Sequence, residues 1–186
     1  MKSRLSTLLN LAPVALLALV SSSVPAAADS YFLKLDGIAG ESADNKHKGE
    51  IDIMSFAWGV SNSGSLAGGG GGGAGKASFQ DLSLTTKLSK ASPKLYLACA
   101  SGEHIRKATL TVRREGKQAQ EYYTITLEDV LVSSVQTGGA AVNSSITESL
   151  SLNFSKITWT YFPQKADGSL DTKVEHSWSV KENQGG

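Results

Sequence analysis

The stretch Glu50-Ile51-Asp52-Ile53-Met54-Ser55-Phe56-Ala57-Trp58-Gly59-Val60 decides the fold. Its apolar residues alternate with polar or small ones at a period of two, the pattern of a strand with one buried face. The parity changes within it: Ile51 and Ile53 lie on one side, and Met54, Phe56, Trp58 and Val60 on the other. A change of buried face near Met54 is what a β-bulge or a strand crossing between sheets requires. With Phe56 and Trp58 turned to the core, Ser55, Ala57 and Gly59 point outward and form an unusually small outer face.

The same period recurs on both sides of this stretch. Tyr31, Leu33 and Leu35 share one side of a first strand, and further strands are predicted at Gln80 to Leu88, Ala108 to Arg114, Tyr122 to Val135, Ile146 to Tyr161 and Val174 to Val180. The last places Val174, His176, Trp178 and Val180 on one side, so His176 is expected to pack beside Trp178. Two of the runs exceed ordinary strand length and should bend or cross between sheets. A single segment reads as helix: Ser92 as its cap, Pro93 where a first-turn residue needs no donor, an apolar run through Cys99, and Gly102 as the stop. Seven or more strands with one short helix imply a mainly β fold, a closed or two-sheet β-barrel with one flanking helix.

The 186 residues fit one domain. The first 28 read as a secretory leader, with Lys2 and Arg4, an apolar run from Leu8 to Val20 too short for a stable anchor, and Ala26 and Ala28 as the small-residue cleavage signal. The remaining domain is then 29–186, exported to the periplasm or beyond, with no stable membrane insertion after cleavage; a start further along the chain would return it to the cytoplasm. Removing Lys2 and Arg4 from 18 basic residues leaves 16 against 17 acidic ones, about −1. A nearly neutral domain offers nucleic acid no electrostatic footprint. The lone Cys99 forms no internal disulfide and is expected to be buried on its helix.

Two loops stand out. Residues 36–49 are polar and include Gly37, Gly40, Asp44 and Asn45. Residues 61–78 hold six consecutive glycines, Gly68 to Gly73, then Gly75 and Lys76. Gly70, Gly75 and Lys76 imitate a phosphate-binding loop, but Ala77 stands where the magnesium-ligating hydroxyl belongs and no strand runs directly into the tract. Such a tract has no core to serve, so either it stays mobile or a partner holds it, at Ser61, Gly68, Gly70, Gly73, Gly75 and Lys76.

Candidate chemistry is sparse. His47, His104 and His176 lack the close spacings of a zinc site; His47 reads as a solvated loop residue, and His104 lies beyond the helix stop. There is no Gly-x-Ser-x-Gly elbow. Glu128, Asp129 and Glu148 are taken as surface charges. Neither a cofactor nor a catalytic constellation is indicated.

The order of landmarks carries more than any single motif. Phe32-Leu33-Lys34-Leu35, Gly40-Glu41-Ser42, Glu50-Ile51-Asp52, Trp58-Gly59, Gln80-Asp81-Leu82-Ser83 and Ser101-Gly102-Glu103-His104 follow one another, then Ala108 to Arg113, Leu131 to Val135, Leu152-Asn153-Phe154 and Tyr161-Phe162-Pro163-Gln164-Lys165-Ala166-Asp167-Gly168. This series resembles the Hcp family, the haemolysin-coregulated tube proteins of bacterial type VI secretion, over Tyr31 to about Val180. The resemblance implies a barrel with a flanking helix, six-membered rings that stack into a hollow tube, effector proteins held in the lumen, and no enzymatic activity. It would set Ser55, Ala57 and Gly59 on the lumen wall; close packing under a neighbouring strand or subunit explains the same small face. The leader departs from the family pattern and opens a second reading, an exported relative that acts as a binding module outside the tube. A third, from another class, is an exported hydrolase on the same barrel.

Overall fold

The computed structural model describes residues 28–64, 76–116, 118–141 and 145–186. Leader residues 1–27 and the glycine tract from Gly68 to Gly75 lie outside the described residues. In chain order the elements are β1 (Asp29–Leu35), β2 (Ile51–Ala57), β3 (Val60–Asn62), β4 (Ala77–Phe79), β5 (Leu82–Lys87), α1 (Ser92–Ser101), β6 (His104–Arg114), β7 (Gln120–Gly139), β8 (Ile146–Tyr161), β9 (Val174–Ser179) and β10 (Gln184–Gly185).

The main sheet runs β10-β9-β8-β5-β2-β1-β6-β7, and β7 pairs in turn with β8. That last pairing closes β8, β5, β2, β1, β6 and β7 into a six-stranded barrel, all neighbours antiparallel, so most backbone groups find ladder partners. The two long strands do what their length implied. One edge of β8 pairs with β5 from Thr147 to Leu152 and with β9 from Lys156 to Tyr161. On the other side, β6 leaves β7 at Leu131, and the register of β7 on β8 shifts between Val132 and Ser134.

Alternate residues of each strand fill the interior: Leu33 and Leu35, Ile51 and Ile53, Leu82 and Leu84, Ala108 and Leu110, Ile125 and Leu127, Leu150 and Leu152. Leu95 and Ala98 bring α1 into the same core. Trp58, Phe79, Trp159 and Trp178 gather at its margin, with ring centroids of Trp58 and Trp159 at 5.3 Å and of Phe79 and Trp178 at 6.2 Å.

The bulge falls where the parity change predicted it: β2 shifts register on β5 between Ile53 and Ser55. Phe56 and Trp58 pack half-buried against the core, but Met54 and Val60 do not; each is 51% exposed. Met54 is the extra residue of the bulge, and Val60 has left the barrel for the separate ribbon that β3 and β4 form. That short ribbon is not evident from periodicity.

The helix ends as expected, with Gly102 at φ 68° donating its N–H to the Ala98 carbonyl. It begins differently. Ala91 occupies the cap position without a side-chain bond, and Ser92 is buried inside the first turn. Cys99 is half-buried rather than fully enclosed. Among the described residues no helix is long and apolar enough to cross a membrane.

Candidate functional site

The small outer face predicted on β2 is part of something wider. Ala57 pairs with Ser83, Ser83 with Ser151, and Ser151 with Ser134; one step along, Ser55 pairs with Thr85, Thr85 with Ser149, and Ser149 with Gln136. The barrel thus carries two cross-strand rows of four residues over β2, β5, β8 and β7. Seven of the eight are Ser, Thr or Ala and none is charged. Their inward-facing neighbours Phe56, Leu84 and Leu150 belong to or pack against the core, which fixes the rows on the outside. The rows line a shallow cleft of about 210 Å³. At one end of the face Asp81 accepts hydrogen bonds from Ser133 Oγ at 2.5 Å and Asn153 Nδ2 at 2.7 Å; at the other stand Lys87 and Thr147.

Gly59 is outside these two paired rows. It lies past the end of β2, its carbonyl accepts the Gln80 N–H at 2.9 Å, and a Cβ there would meet Gln80 Oε1 at 3.0 Å. Ser61 pairs with Ser78 in the β3–β4 ribbon, and exposed Lys76 leads into β4. The remaining loop positions, Gly68, Gly70, Gly73 and Gly75, fall outside the described residues. Ser83, Thr85, Ser134, Gln136, Ser149 and Ser151 are the face residues that sequence reasoning missed. Ser149 and Ser151 were detectable, since they alternate with Leu150 and Leu152, but their strand neighbours were not.

Three polar clusters lie elsewhere. Glu148, read from sequence as a surface charge, is 1% exposed. Its Oε2 accepts from Ser92 Oγ at 2.6 Å, and its Oε1 accepts from Tyr96 and from Thr137 Oγ1 at 3.3 Å. Hydroxyls thus satisfy a buried carboxylate and tie α1 to β7 and β8. The bond to Glu148 raises the Tyr96 hydroxyl above its ordinary range.

The loop of residues 36–50 forms the second cluster, and it corrects the reading of His47, which is 6% exposed rather than solvated. Phe32 points outward from β1 and would be exposed on a bare barrel; the loop folds over it, stacking His47 on its ring at 4.1 Å. Both Asp44 carboxylate oxygens accept from the Arg113 guanidinium, at 2.8 and 2.6 Å, and Arg113 also donates to Glu115. These bonds hold Asp44 far below the usual carboxylate range, and Arg113 likewise lowers Glu115.

In the third cluster Asp129, at φ 52°, accepts from Ser155 Oγ at 2.7 Å and contacts His104 Nδ1 at 2.7 Å. Both bonds lower its carboxyl, that of Ser155 most. The aspartate stands between serine and imidazole, so this hydroxyl donates to a carboxylate instead of sharing a proton with a base, and a nucleophilic relay is not assembled. His176 is exposed on β9 opposite Trp159, while Trp178 packs against Phe79 instead. Among the described residues no group of three or more His, Cys, Asp or Glu is placed to hold a metal ion.

Comparisons with known proteins point one way. A family profile described as "Type VI secretion system effector, Hcp" matches residues 32–161. Protein hcp1 of Pseudomonas aeruginosa is 47% identical over 154 residues, covering 82% of this chain and 95% of its own. A solved structure described as that of a type six secretion system protein superposes with a TM-score of 0.80 at 30% identity, over 86% of this chain and 100% of the other. Hcp1 from Salmonella typhimurium does so with a TM-score of 0.70 at 31% identity, over 85% and 99%.

Proposed function

The chain belongs to the Hcp family of type VI secretion, and from that premise we propose that it assembles into six-membered rings that stack as a tube, with the Ser/Thr/Ala face of β2, β5, β8 and β7 turned to the lumen. The observation that carries this reading is the face itself: eight uncharged positions across four strands, seven of them small. An inner wall that passes protein cargo needs room and no strong charge of either sign, and these residues supply both. The ring is built by one heterologous contact repeated around a closed rotation. The β3–β4 ribbon, which includes Ser61 and is entered from Lys76, contacts a neighbouring subunit or ring. Effector proteins occupy the lumen, and the chain itself performs no catalysis.

Light scattering on the purified domain tests the ring: a mass six times that of the subunit is expected, and a strict monomer at high micromolar concentration overturns the reading. The leader favours a second reading, export through the general secretory route and a binding role outside the contractile apparatus. Intact mass in the native host separates the two. A chain beginning at Asp29 supports export, whereas one retaining Met1 in the cytoplasm supports assembly within it.

A further inference from the structure

His47 has an unusual environment for a loop residue. Its Nδ1 lies 3.0 Å from Glu50 Oε2, so with that carboxylate ionised Nδ1 carries the hydrogen. In the neutral ring Nε2 is then a bare acceptor. That atom is buried, has no hydrogen-bond partner, and lies 3.7 Å from the Glu121 Oε1 on β7. Two acceptors facing each other, the imidazole buried and the Glu121 side chain 37% exposed, are mutually unfavourable; a proton on Nε2 turns the pair into donor and acceptor.

We propose that His47 is a proton-operated latch, fastening residues 36–50 to the barrel when the ring is protonated and loosening them when it is neutral. The charged groups around it come from every packed element. Asp44, Lys46 and Glu50 belong to the loop, Arg113 to β6 with Glu115 just beyond it, and Glu121 to β7, where Lys46 Nζ also reaches it at 3.6 Å. Phe32 of β1 supplies the stacking floor. Asp44 and Glu115 are both lowered by Arg113, so they stay ionised through neutral and mildly acidic pH and do not imitate the latch. Fastening takes up a proton, so by linkage the fastened fraction rises as pH falls. Loosening alters an outer surface, since the loop also walls a cleft of about 500 Å³ lined by Lys34, Lys46 and Lys48.

Hydrogen exchange at the Ser42, His47 and Gly49 amides of the full chain tests the latch, compared at about pH 5.5 and about pH 8 after correction for intrinsic exchange. Protection roughly tenfold higher at the acidic value is expected in the unaltered protein, with the difference lost in His47→Gln and diminished in Glu121→Gln. Nitrogen shifts of the His47 ring, read in the unaltered chain, give a second measurement if a variant fails to fold. Equal protection at both pH values, a difference that persists in His47→Gln, or a ring that takes up its proton with no change in loop protection overturns the proposal.

Discussion

Ser92 Oγ donates a 2.6 Å hydrogen bond to Glu148 Oε2 and so joins the first turn of α1 to β8 across 56 residues of sequence. Neither group has water to fall back on, since Ser92 is 0% and Glu148 1% exposed. Ser92→Ala should therefore cost about 1–3 kcal/mol, the range for a buried acceptor left short of a donor. Glu148→Leu should cost more than Glu148→Gln, which keeps one oxygen for the hydroxyls. Urea midpoints of the variants at constant m-value check both; midpoints equal to that of the unaltered protein would contradict the network.

This bond also marks the limit of what the sequence could tell. Glu148 shares its parity on β8 with Leu150, Leu152 and Phe154, all buried, so an inward glutamate was readable there. What parity does not disclose is the partner. Ser92 reads as a helix cap because capping is local, and its actual bond depends on which strand α1 packs against. The bulge at Met54 and the stop at Gly102 were legible because each is written within a few residues of itself. The burial of His47 was not, since it follows from Phe32 pointing outward and the loop that holds His47 folding back over it.

Below about pH 4, acid should loosen the loop of residues 36–50 through Asp44. Its carboxyl is lowered when folded, so its contribution is fully present above the unfolded value of about 3.9 and is lost as pH falls below that toward the much lower folded value. Glu115 is lowered by the same guanidinium and acts in the same direction. Asp44→Asn should be less stable than the unaltered protein at neutral pH, and its stability should fall less steeply with acid below about pH 4. Urea unfolding measured across the acidic range reads both, and parallel pH profiles for the two proteins would contradict the assignment.

Two glycines of the same chain should respond differently to alanine. A Cβ on Gly40 would lie 2.2 Å from the Glu50 carbonyl oxygen and 2.6 Å from the Ile51 nitrogen, backbone atoms that cannot step aside. Gly138 has nothing within 4 Å of such an atom. Gly40→Ala should lower stability by about 1–3 kcal/mol or more through overpacking and detach the loop from β2. Gly138→Ala should stay within about 0.5 kcal/mol of the unaltered protein, as exposed substitutions do. Thermal melts of the two variants side by side decide this, and a Gly40→Ala protein as stable as Gly138→Ala would show that the loop is not held as described.

The small face offers the most direct test of the proposed lumen. Ala57 heads the row that continues through Ser83, Ser151 and Ser134, and it is exposed on the isolated subunit. Arginine at this position has solvent to enter, so Ala57→Arg should leave the subunit's melting temperature nearly unchanged. The effect on assembly then depends on where the face lies. On a lumen wall, six arginines would project into the channel, rings would still form, and retention of cargo would change because the wall has become narrower and positively charged. At a packed contact between subunits the same side chain would be buried without a partner, and the rings would dissociate. Negative-stain images together with co-purification of cargo read the two outcomes separately. Intact rings with altered retention place Ala57 on the channel, loss of rings places it in a subunit contact, and intact rings with unchanged retention defeat the lumen assignment.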